Sequence, residues 1–118
     1  MYSAELLDHF QHPRNAGELP EATARVRIEN PACGDVLELG VKIADGCVAD
    51  IRFLAKGCVP AIACASAVTE LTKGKSVEQA RAIAKADVTN LVGGLPPASG
   101  HAAQLAIDTL QAVLKAAT

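Results

Sequence analysis

The residues best suited to chemistry are two cysteines, an aspartate and a histidine. Cys33 and Asp35 lie in NPACGD, residues 30–35, where a Pro-Ala corner hands over to the alternating residues of a strand. Cys58 lies in KGCVP, where alternation gives way to helical spacing, and His101 opens the last helical stretch. If neighbouring strands run antiparallel, the start of the second lies beside the end of the third, so Cys33 and Cys58 are expected to be neighbours. Thiolate, imidazole and carboxylate are donors that suit a tetrahedral zinc or part of an iron–sulfur cluster. Cys58 at a helix N-terminus is expected to be acidified by unpaired N–H groups, and the same positive end favours neutral imidazole at His101. The spacing alone leaves plainer readings open. There is no CxxC pair to support a zinc finger, Asp35 by itself reads as a turn residue, His101 as a first-turn helix residue, and the two thiols as idle.

The other titratable groups carry less. Cys64 falls on the apolar stripe of a helix, and Cys47 is expected to share a strand face with Ile51 and Phe53, so both read as packing residues. His9 and His12, at the end of the first helix, read as surface residues without chemistry. A thiol enzyme using Cys58 with His101 as base lacks any legible oxyanion device.

The elements that must position these groups follow from periodicity. Ser3 caps a first helix whose apolar side is Leu6, Leu7 and Phe10, stopped by Pro13. Val26 and Ile28 in TARVRIEN mark a first strand, Leu37, Leu39, Val41 and Ile43 a second, and an Asp45-Gly46 turn leads to a third from Cys47 to Lys56. From Pro60 the period becomes helical through Ala61, Cys64, Ala65, Val68, Leu71 and Thr72, with Gly74 as stop. Ser76 and Gln79 form a capping box for VEQARAIAKA, Asp87 caps a short turn through Leu91, and Ala103 to Ala117 give a last amphipathic helix. The expected fold is α+β, a three-stranded antiparallel sheet packed against four to five helices, in a single domain over residues 1–118.

Composition narrows the function. Half of the residues are hydrophobic, but Tyr2, Phe10 and Phe53 are the whole aromatic complement, so the core must be built from aliphatics. A net charge of -2 with scattered Lys and Arg offers no basic stripe for nucleic acid. No apolar run approaches the roughly 20 residues of a membrane span, and no signal peptide is visible. The expectation is a cytoplasmic protein with four free thiols.

YSAELLDHFQHPRNAGEL, NPACGD, KGCVPAIACAS with TELTKGKS, and LPPASGHAAQLA run in order along the chain. Together they resemble the iron–sulfur cluster assembly scaffolds, the IscU/SufU and NifU N-terminal family. The resemblance implies a scaffold, not an enzyme, that holds a nascent [2Fe-2S] cluster or zinc on Cys33, Asp35, Cys58 and His101. It also implies a cysteine desulfurase, acceptor apo-proteins and an Hsp70-type chaperone as partners. Two departures stand out. Ala102 replaces the family's third cysteine, and in LPPAS, which keeps Leu95, Pro96 and Pro97 of the chaperone segment, Ser99 replaces a lysine. The missing thiol leaves an alternative: a degenerate paralogue that binds a desulfurase without assembling clusters.

Overall fold

The computed structural model describes residues 1–118. Three strands, β1 (Ala24–Glu29), β2 (Val36–Ala44) and β3 (Cys47–Lys56), form an antiparallel sheet in the order β1-β2-β3. Around it stand α1 (Ala4–Gln11), α2 (Val59–Thr72), α3 (Val77–Arg81), α4 (Lys85–Leu91) and α5 (Gly100–Ala117). The chain is therefore the expected α+β architecture with five helices. No helix is long and apolar enough to cross a membrane.

The sheet meander is the most local of these features. Asp45 and Gly46 both take positive φ, 53° and 73°, the type I′ geometry that matches strand twist and that glycine adopts without cost. Cross-strand neighbours Val26, Leu39 and Phe53 then share one face, and Leu37, Val41 and Ile51 complete its buried surface. β3 departs from strict alternation. Lys42 pairs with Asp50 and Ile43 with Val48, so Ala49 is the extra residue of a bulge. The bulge sends Val48 into the core beside Ile51 and leaves Cys47 half-buried, correcting the expectation that Cys47 lies on the Ile51 and Phe53 face.

α2 and α5 pack on the inner face of the sheet and on each other, and α1 packs on α2. α2 is buried on nearly every side, which its small residues Ala61, Ala63, Ala65 and Ala67 permit, rather than along a single stripe. Cys64 is fully buried there, as expected.

α1 begins as expected, with the Ser3 hydroxyl accepting the Leu6 N–H at 2.9 Å. Its buried side runs through Leu6 and His9, while Leu7 stays exposed. His9 is thus not a surface residue. One helical turn from Leu6, it is carried beneath α1, where its Nδ1 lies 2.9 Å from Ser66 Oγ and its Nε2 3.4 Å from Glu70 Oε2. Ser66 Oγ also accepts the Arg14 N–H at 2.9 Å.

The stretch read as one helix from Val77 to Ala86 divides in two. The capping box at Ser76 and Gln79 starts α3, but Ala84 turns to extended φ and ψ, and its N–H donates to Asp87 Oδ2 at 2.7 Å. Asp87 therefore captures a donor from inside the first turn of α4 instead of capping it from outside.

Candidate metal centre

The antiparallel register brings the site together. Val36, at the start of β2, pairs with Lys56 at the end of β3, which sets Asp35 against the Gly57-Cys58 turn that opens α2. Cys33 rides on the exposed 30–34 corner, where Ala32 N–H donates to Asn30 Oδ1 and Gly34 N–H to the Asn30 carbonyl. His101 stands in the first turn of α5, and the four residues line one open cavity of about 780 Å³.

Asp35 is the buried centre, 4% exposed. Its Oδ1 accepts the Cys58 N–H at 3.2 Å, and its Oδ2 lies 3.4 Å from Cys58 Sγ and 3.4 Å from His101 Nε2. Cys58 Sγ is 3.9 Å from His101 Nε2. One donor atom each from Cys33, Asp35 and His101 can be chosen so that all lie within 4.8 Å of one another. Cys58 sits beside this trio against Asp35 and His101.

The orientation of His101 is set by backbone. Pro97–Ser99 form a short 3-10 turn ahead of α5 and aim the Ala98 carbonyl at His101 Nδ1, 3.1 Å away. A carbonyl can only accept, so Nδ1 carries a proton, and in the neutral imidazole the Nε2 lone pair faces Asp35 Oδ2. Two acceptors facing each other at that distance suit a cation between them, and a histidine fixed through its outer nitrogen is the usual dress of a metal ligand.

Proton affinities follow the same contacts. Burial works to raise the Asp35 pKa, but hydrogen bonds from the Cys33 and Cys58 thiols and the Cys58 N–H, with His101 nearby, hold it below the ordinary carboxylate value. Cys58 moves the other way. Burial raises it, and the hydrogen bond to Asp35 and that residue's charge raise it further, against the opposing Ala61 N–H. The helix N-terminus is real, yet it is outweighed, which corrects the expectation of an acidified Cys58. Cys64, buried in the core, is pushed up to about 12 and cannot serve as a ligand where it stands.

All four residues singled out from the sequence thus meet in one cavity. What the sequence did not disclose is the carbonyl of Ala98, because a backbone acceptor has no residue type. Ala102, where a further thiol would complete the resemblance, is 1% exposed. The rim carries Arg27 and Lys56.

Residues 1–117 match the family described as NifU-like N terminal domain. The chain is 41% identical over 111 residues to "Iron-sulfur cluster assembly scaffold protein IscU 1" of Archaeoglobus fulgidus, covering 94% of this chain and 72% of that protein. It is 40% identical over 117 residues to the IscU scaffold protein of Escherichia coli K12, covering 96% of this chain and 91% of that one. Among solved structures it is similar in fold to a putative iron–sulfur cluster assembly scaffold for the SUF system from Fervidobacterium islandicum AW-1, with TM-score 0.81 at 19% identity over 96% of each chain.

Proposed function

The chain belongs to the NifU-like N-terminal domain family, and on that basis we propose that it is an assembly scaffold that holds a nascent [2Fe-2S] cluster as cargo and passes it on. The observation that carries this reading is the convergence of two thiols, a carboxylate and an imidazole whose Nε2 is left free by the Ala98 carbonyl. Cys33, Asp35, Cys58 and His101 supply four donors, the number of protein ligands that a [2Fe-2S] cluster takes. The same set suits zinc, which serves here as the resting occupant.

The donors divide the work. The two thiols are the soft ligands that retain iron, while Asp35 is the harder, weaker partner and the arm that lets go. Transfer is then ligand exchange at an open cavity, with no turnover chemistry required of the protein. A cysteine desulfurase supplies the sulfur and apo-proteins receive the product. The Leu95-Pro96-Pro97 segment, with Pro97 exposed, is the contact for an Hsp70-type chaperone, weakened by Ser99.

Reconstitution with ferric iron and sulfide without oxygen, followed by mixing with an apo-ferredoxin, tests the proposal. The expected result is the ferredoxin spectrum appearing faster than from free iron and sulfide at equal concentration. Equal rates with and without this protein would contradict it.

A further inference from the structure

We propose that Gly57 is a positioning residue that aims the Asp35 carboxylate into the site by having no Cβ. The proposal rests on the reading of Asp35 as a metal donor. A Cβ built at Gly57 would stand 2.7 Å from Asp35 Cγ and 3.1 Å from Asp35 Cβ, with Oδ1 closer still. Real Cβ atoms do not tolerate contacts below about 3.0 Å. Nor is the carboxylate a loose end that could swing aside. It is buried, and Oδ1 is held by the Cys58 N–H at 3.2 Å.

The backbone adds an independent constraint. Gly57 has φ of +155°, a region that residues with a side chain rarely adopt. Glycine at this point therefore does two things. It lets the chain turn from β3 into α2, and it lets Asp35 lie against that turn with Oδ2 directed at Cys58 Sγ and His101 Nε2. A methyl group at 57 displaces the carboxylate while Cys33, Cys58 and His101 remain.

The test is a double-mutant cycle read by cobalt(II), titrated into the metal-free full chain without oxygen and followed by thiolate-to-cobalt absorption. The four proteins are the parent, Asp35→Ala, Gly57→Ala and the pair combined. Gly57→Ala is expected to weaken cobalt affinity about 10-fold, as loss of an orienting contact does, and to cost clearly less in the Asp35→Ala background, where only the backbone constraint is left. The thiolate bands should persist throughout. Affinity equal to the parent in Gly57→Ala, or the same fold loss in both backgrounds, would overturn the proposal, the latter by assigning the effect to backbone strain alone. Failure of the underlying site reading looks different: the parent takes up no cobalt, or Asp35→Ala binds as the parent does, and either result removes Asp35 as the donor that Gly57 serves. Should Gly57→Ala fail to fold, the melting temperature decides. Relief of the contact requires the combined variant to melt above Gly57→Ala, and an equal or lower Tm overturns the proposal.

Discussion

Asp35 shapes the reactivity of everything around it. By accepting from Cys58 and carrying its charge against the thiol, it keeps that thiol protonated to higher pH than burial alone would. Asp35→Asn should therefore speed alkylation of Cys58 by iodoacetamide at fixed pH near neutrality, read by peptide mass spectrometry; a rate equal to or below the parent's would count against this. Cys64, fully buried with its pKa near 12, should remain unmodified in both proteins until they are unfolded. The proposed role of Asp35 as the labile ligand has a second consequence. Asp35→Ala should retain a reconstituted cluster for hours where the parent loses it quickly, followed by visible absorption, and equal lifetimes would refute the role given to the carboxylate. That Cys33 and Cys58 lie close together was legible in the sequence because strand end points are local properties, whereas grouping them with Asp35 and His101 as one proposed donor set came from the family resemblance. The acidity of Cys58 was not, because it depends on a carboxylate 23 residues away in the chain.

The docking of α1 on α2 is held by polar contacts as well as by Leu6. Every donor is satisfied when Ser66 accepts from Arg14 N–H, gives its own proton to His9 Nδ1, and leaves Nε2–H directed at Glu70. Ser66→Ala leaves the buried His9 Nδ1 and the part-buried Arg14 N–H without partners and should cost about 1–3 kcal/mol in urea unfolding. No measurable change would show that the contacts are incidental. Burial, and then the charge of Arg14, lower the His9 pKa from its ordinary 6.5, against the opposite pull of Glu70 and Asp8. The unfolded chain thus binds the proton more readily. The stability linked to His9 is complete above that ordinary value and declines as pH falls below it, until the folded-state pKa is reached. His9→Gln should flatten this part of a stability-against-pH curve, whereas an unchanged slope would exclude His9 as its source. The capping box of α3 and the Asp45-Gly46 turn were readable because short-range rules govern them. The bulge at Ala49 and the break at Ala84 were not, since the first depends on the fit of Val48 into the core and the second on which donor Asp87 captures.

Taken together, the fold is a sheet with a nearly all-buried helix laid across it, and the site lies where that helix begins. The alternation of β1 and β2 and the change of period near Pro60 made this α+β arrangement legible in advance. Burial of α2 on nearly every side was hidden, because an alanine-rich stretch gives no strong contrast between its faces. Such a helix has no room to grow. Ala65→Leu should destabilise the protein by about 1–3 kcal/mol through overpacking, seen as a lower urea midpoint, and an unchanged midpoint would mean that the space around α2 is slack. The account as a whole depends on Cys33, Asp35, Cys58 and His101 acting together on iron. Iron and acid-labile sulfide analysis, with a visible spectrum, on protein purified without oxygen tests this most directly, with Cys58→Ala alongside. The account predicts equal amounts of iron and sulfide in the parent and their loss in the variant. Zinc alone, or no iron retained even after reconstitution with iron and sulfide, would contradict it.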